Sequence, residues 1–476
     1  MSVRPLLAVG LVAWVSGCAL AGPEPDLSPP SPELPPPSLD RPVPDSAVPD
    51  RAPGADTVAA GVEVEGAAGP AEGQVVPADG VLPPVRALWV VRTALVHPDS
   101  VRAVVERAQR GGFNTLLVQV RGRGDAWYRS GREPRAEPLA GAHRSYDPLA
   151  VMLDEARGRG LSVHAWVNAH LVAGARTPPA DPLHLVNRRP QWLAVPRGLA
   201  RELFHMDPRD ARYREALMGH VRANPDQVEG LYSSAVLPEA TEHLAAVVTE
   251  LVESYELDGV HLDYLRMPSR SFDYSRGALE AFRARLRARH PPGELRAAEA
   301  RWREGEIFAY PDAFPRQWDD FRQERVSESL AAAVGAVRRV RPDLQVSVAV
   351  FPDPADARTH RFQDWEDWVA RELVDAVAPM SYTNRNDAFA LAMERARDAV
   401  GAHRVWMGVG AYTNSFDEAV RRARWVGAEG FAGVSLFSYD WTVGAEGIRA
   451  AGGEAYLERF GREAFKPGTG SPASGR

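Results

Sequence analysis

A chain of 476 residues with 56 basic and 63 acidic side chains has a formal net charge of −7, which is mild for its length and points to no polyanionic partner such as nucleic acid. Its hydrophobic share of 45% and charged share of 25% are those of a globular protein and not of a disordered one. A single cysteine excludes an internal disulfide framework, so stability outside a reducing compartment must come from a large core.

In chain order, Arg4 precedes an apolar run from Pro5 to Val15 that is too short to span a bilayer, which predicts a secretory signal. The run ends in Val15-Ser16-Gly17-Cys18, which resembles a bacterial lipobox. The resemblance implies removal of residues 1–17, a diacylglycerol on Cys18 and attachment to a bacterial membrane through that lipid. The competing reading is an ordinary signal peptide with an incidental cysteine. Residues 18–84 are crowded with Pro, Ala, Gly and Asp, including SPPSPELPPPS, and lack apolar periodicity, which predicts an extended linker. Residues 466–476 read as a tail of the same kind.

Between these ends, over 85–465, short β-rich runs alternate with amphipathic helical patterns. Strands are predicted at Ala87–Val91, Thr115–Val120, Ser162–Asn168, Gly259–Leu265, Gln345–Val350, Val374–Pro379, Val405–Val409 and Gly433–Phe437. Helices are predicted at Ser100–Arg110, Asp147–Gly158, Glu239–Tyr255, Gln317–Arg339, Asp364–Leu373, Ala388–Val400 and Asp417–Gly427. This alternation predicts an α/β fold of the TIM type, a (β/α)8 barrel with enlarged loops. The rival is a doubly wound open sheet, weakened by the absence of a Gly-rich phosphate loop after the first strand.

The active site of such a barrel lies at the carboxyl ends of its strands. The polar residues there are Gln119 and Arg121, Asn168 and His170, Asp263 and Arg266, Asp353, Ser381 and Tyr382, Tyr412 and Asn414, and Tyr439, Asp440 and Trp441. Carboxylates and amides for hydroxyls, with aromatic faces for pyranose rings, suit a sugar. In Gly259-Val260-His261-Leu262-Asp263 the alternation turns Val260 and Leu262 to the helices and His261 and Asp263 inward, with Tyr264 facing the helices again. Asp258, before the strand, falls at the opposite, stabilising end.

At these residues the chain resembles the glycosyl-hydrolase-like 10 family. The matching stretches are RALWVVR, GFNTLLVQVRGRGDAWY, YDPLAVMLDEARGRGLSVHAWVN, DGVHLDYLRMP and VDAVAPMSYT, in the family's order and spacing. The family is similar to α-amylase-type barrels, in which the aspartate at the place of Asp263 is the nucleophile. The resemblance implies a glycosidase acting on an envelope glycan, peptidoglycan strands without stem peptides among the candidates. Where many members carry a second Asp after Asp263, this chain has Tyr264, and no Glu ends the fifth strand.

Glycosidic cleavage needs two carboxyl groups. Asp263 is expected as the ionised partner, and the protonated one is left open among Asp353, Asp440 and Asp125. Gln119, Arg121, Asn168, His170, His261, Arg266 and Tyr382 are expected to orient the sugar, and Trp127, Trp441 and Trp89 to stack on it. Arg121, Arg123 and Arg266 could meet the lactyl carboxylate of a muramic acid, or simply pair with acids such as Asp125. No metal and no cofactor are expected. Two rivals remain: a metal-dependent deacetylase or amidohydrolase using His164, His170 and His261, although HExxH and HxxEH motifs are absent, and a glycan-binding lipoprotein without catalysis.

Overall fold

Strands that read as nearly continuous apolar runs are buried on both faces, which suits parallel strands wrapped by helices. In this computed structural model, which describes residues 83–465, they form the inner layer: β1 (Val85–Val90), β2 (Thr115–Arg121), β3 (Ser162–Asn168), β4 (Gly259–Asp263), β5 (Gln345–Val350), β6 (Ala376–Pro379), β7 (Trp406–Gly410) and β8 (Gly433–Phe437). All eight pair in parallel in the order β6-β5-β4-β3-β2-β1-β8-β7. A bridge between Val377 and Val405 brings the two edge strands together, so the sheet is a nearly closed barrel. The expected barrel stands and the open doubly wound sheet does not. The signal, the tail and all but the last residues of the linker lie outside the described residues.

Alternation sorts the side chains. Leu88, Val90, Leu116, Val118, Val163, Val260 and Leu262 face the helices and join the main core. Ala87, Trp89, Leu117, Trp166, Ala349, Ala376, Ala378 and Trp406 form a separate cluster that fills the barrel. Three tryptophans fit inside because small residues face them, the large-against-small packing of a barrel interior. Burying each contributes roughly 2–3 kcal/mol. Gly259 opens β4 for the same reason, since a Cβ there would stand 2.4 Å from His164 Nδ1.

Helix starts follow the chemistry of orphan amides. Asp147 accepts from Ala150 N at 3.1 Å ahead of Pro148–Arg157, and Ser415 accepts from Glu418 N at 3.2 Å ahead of Phe416–Ala428. Two insertions enlarge the top of the barrel. Between β3 and β4 an antiparallel pair, Leu171–Ala173 with Leu231–Tyr232, brackets the helix Ala211–Ala223. Between β4 and β5 lie the helices Arg276–Arg289 and Arg296–Arg303, ahead of the 26-residue helix Pro315–Val340. Among the described residues no helix is long and apolar enough to cross a membrane.

Candidate active site

Asp263 ends β4 in register with Asn168 of β3 and is 5% exposed. Trp166 Nε1 donates to its Oδ2 at 3.2 Å and the Tyr264 amide to its Oδ1 at 2.6 Å. Burial pushes the carboxyl up to about 6, against the opposing pull of Arg266, the Tyr264 amide and Trp166. Such a group exchanges its proton near neutrality, the property a catalytic carboxyl needs.

One turn of alternation below, His261 Nδ1 and Ser347 Oγ share a hydrogen bond at 2.8 Å, and the ring lies edge-on to Trp89 at 4.7 Å. Burial, with His164 nearby, pushes its imidazole down to about 3, so it is neutral at any working pH. Around the strand ends the rings of Trp89, Trp166, Phe437, Tyr382 and Tyr412 form a connected wall, Tyr382 lying 5.2 Å from Phe437 and 6.2 Å from Tyr412. Phe437, Tyr412 and Tyr264 are half-buried, so this wall opens to solvent on the loop side. Tyr264 breaks the alternation. Its φ of 50° lies in the left-handed region, a strained conformation for a tyrosine, and ends β4 two residues before the sequence pattern does. It sits at the opening with the Arg266 guanidinium 4.7 Å over its ring.

Other expected residues divide by what their side chains touch. Gln119 is buried and accepts from the Arg92 guanidinium at 2.8 Å. Asn168 donates to Gly122 O at 2.9 Å, while its Oδ1 has no hydrogen-bond partner among the described residues. Asp440, after β8, accepts from Val91 N and Thr93 Oγ1, both at 3.0 Å, and burial raises its carboxyl pKa. It stays half-buried at the seam between β8 and β1.

Arg121 lies elsewhere than alternation predicts. A bulge between Gln119 and Arg121 shifts the register, so Arg121 pairs opposite Val167 and faces the helix layer. There it is buried against Glu133 at 2.6 Å and donates to the carbonyls of Asn168 and Ala169, and Glu133 also meets His243 at 2.9 Å. His170 is buried between Ser233 and Ser329, each at 3.1 Å, and burial pushes it down to about 3. Trp127 is 1% exposed in the outer core. Trp441 is half-buried with its ring 5.8 Å from Tyr456. Asp353 caps Pro354–Arg361, accepting from Ala355 N at 3.0 Å, and pairs with Arg395. Asp125 accepts from Arg123 N at 2.8 Å within its own turn. Among the described residues no three His, Cys, Asp or Glu side chains converge as metal ligands.

Two neighbours of Asp263 escape a reading of strand ends. Trp166 carries a signal, since alternation in SVHAWVN places it on one face with His164 and Asn168. Glu229 carries none. It lies in the insertion before β4, yet forms a 2.7 Å ion pair with the buried Arg266.

A nearly closed parallel barrel with a buried carboxyl among aromatic rings at the strand ends is the architecture of a TIM-type barrel, with that carboxyl at the end where such barrels carry their active sites. The chain belongs to the glycosyl hydrolase-like 10 family, whose profile matches residues 84–424. It is 25% identical over 307 residues to the glycosyl hydrolase DigH of Escherichia coli strain K12, a match covering 61% of this chain and 59% of that protein. It is 22% identical over 299 residues to the glycosyl hydrolase YngK of Bacillus subtilis strain 168, covering 59% of this chain and 48% of that one. The chain thus spans only about half to three-fifths of the length of these relatives. Among solved structures, the glycoside hydrolase domain of PgaB (BpsB) from Bordetella bronchiseptica superposes with a TM-score of 0.53 at 13% identity, covering 77% of this chain and 98% of that one. A β-galactosidase from Bacillus circulans superposes with a TM-score of 0.52 at 12% identity, covering 81% of this chain and 56% of that one. Both likenesses are of fold.

Proposed function

We propose that this protein hydrolyses glycosidic bonds in a bacterial envelope glycan, with peptide-free peptidoglycan strands as substrate, from a lipid anchor at Cys18. The observation that carries the catalytic part is Asp263, a buried carboxyl poised near neutrality at the end of β4 and ringed by aromatic side chains. Ionised, it attacks the anomeric carbon or activates a water. Asp440 protonates the leaving oxygen. Among the acids at strand ends, Asp440 takes this role because it follows β8 and burial raises its carboxyl pKa, its two oxygens accepting from Val91 N and Thr93 Oγ1. Tyr382, Tyr412 and Phe437 supply the apolar faces against which a pyranose ring packs.

The substrate part rests on the lipobox, the family and one arginine. With Arg121 and Arg266 committed to Glu133 and Glu229, Arg123 remains half-buried at the opening, able to meet a lactyl carboxylate. The test is digestion of purified sacculi, intact and amidase-stripped, beside neutral glucans, with products read by mass spectrometry. Peptide-free disaccharides released from stripped sacculi support the proposal. Cleavage of neutral glucan alone overturns the substrate, and binding without cleavage of any glycan overturns the catalysis.

A further inference from the structure

With Asp353 held in a helix cap, the charged side chain that meets the end of β5 is Arg361. The helix Pro354–Arg361 stops at Phe362, whose φ of 58° lies in the left-handed region. Beyond that turn, Gln363 accepts from Phe351 N at 2.9 Å and donates to Ala349 O at 3.1 Å, while Arg361 O accepts from Met267 N at 3.0 Å. Residues 361–363 are thus stitched to the segments that end both β4 and β5, on the face of the barrel that carries Asp263.

Arg361 lies 4.8 Å over the ring of Phe351, the residue after β5. Arg266 lies 5.1 Å over the same ring and 4.7 Å over that of Tyr264, the residue after Asp263. One carboxylate serves the two cations: Glu229 Oε1 accepts from Arg266 Nη2 at 2.7 Å. Among the described residues Arg361 has no ion pair, and its Nε, like Arg266 Nε and Nη1, is buried without an acceptor. A half-buried guanidinium without a counter-ion is costly, and burial, with repulsion from Arg266, pulls the Arg361 pKa down. Guanidinium N–H groups only donate, so what relieves both cations is an acceptor, and the planar fork of an arginine matches a carboxylate.

We propose that Arg361, with Arg266 over the same ring, forms a subsite that binds a carboxylate of the glycan and so selects an acidic saccharide over a neutral one. The inference deepens the proposed function and rests on it for the identity of the glycan. Arg123 meets a different carboxylate, since a peptide-free strand carries a lactyl group on each of its muramic acids. The subsite acts on binding, so its loss shows in KM and not in kcat.

The experiment measures binding of the intact protein to amidase-stripped strands, to the same strands with their carboxyls reduced to alcohols, and to oligogalacturonate beside a neutral glucan, with kcat and KM for whichever is cleaved. Wild type should bind the native strands at least about tenfold more tightly than the reduced ones. Arg361→Gln should lose that preference while binding the reduced strands as wild type does. Equal weakening on both forms, or a preference that survives Arg361→Gln, overturns the subsite. Should Arg361→Gln not fold, Arg361→Lys decides, because it keeps the charge and loses the fork. It should weaken native-strand binding several-fold and leave reduced-strand binding alone, and an unchanged preference there overturns the subsite. A wild type that ignores the strands but prefers oligogalacturonate to neutral glucan, and loses that preference in Arg361→Gln, keeps the subsite and overturns the peptidoglycan substrate. No preference for either carboxylated glycan overturns both.

Discussion

The indole nitrogen of Trp166 donates to Asp263 Oδ2 at 3.2 Å, so one buried strand residue orients the carboxyl that the neighbouring strand presents. That bond favours the ionised carboxyl against its burial. Trp166→Phe keeps the ring in the barrel cluster and removes the donor. The acidic limb of the activity profile should rise above the wild-type value near 6, with kcat falling about tenfold. An unmoved limb in a pH–rate profile would separate Trp166 from the chemistry.

Asp263 should also weaken the fold at neutral pH. Its folded-state pKa of about 6 lies above the unfolded value of about 3.9, so the native state binds the additional proton between the two. The stability this gives is present below about pH 4 and is lost as pH rises through about 6. Asp263→Asn should therefore unfold at higher denaturant concentration than wild type at pH 7.5, by roughly 2–3 kcal/mol. The gain should vanish at pH 4. A variant equally stable or weaker at both pH values would contradict the raised pKa.

Arg121 should matter for folding and not for sugar contact. Its partner is Glu133, which also bonds His243, and it clasps the carbonyls of Asn168 and Ala169 at the end of β3. Arg121→Met strands a buried carboxylate and should cost about 3–5 kcal/mol in denaturant unfolding. The folded fraction should keep its KM, whereas a raised KM with unchanged stability would place Arg121 against substrate.

Cys18→Ser should release the protein into the soluble fraction with unchanged specific activity, since the proposed lipid would supply anchoring and no part of the chemistry. Mass spectrometry of the wild-type protein should find a lipid-modified amino-terminal Cys18, and its absence would remove the anchor from the account.

The barrel was legible because strands and helices alternate with clean periodicities, and because β3, β5 and β8 begin and end where their apolar runs do. Asp263 was legible from alternation in GVHLD. What escaped is non-local. The bulge that turns Arg121 outward breaks a period-2 argument at one residue. The positive φ of Tyr264 does the same at the end of β4. Asp353 looks like a strand-end acid, yet the proline that follows it starts a helix and makes the carboxylate a cap. Glu229 reaches Arg266 through an insertion whose path no local pattern encodes. His170 and Trp127 sit near strand ends in sequence, but His170 is buried between Ser233 and Ser329 and Trp127 in the outer core, contacts that no local pattern encodes.

The central claim is that Asp263 performs the cleavage. The direct measurement is turnover of amidase-stripped sacculi by wild type and by Asp263→Asn, with binding to the same sacculi measured in parallel. Wild type should release peptide-free saccharides, and the variant should bind comparably while turning over at least about a thousandfold more slowly. Near-wild-type turnover by a folded Asp263→Asn protein would contradict the account.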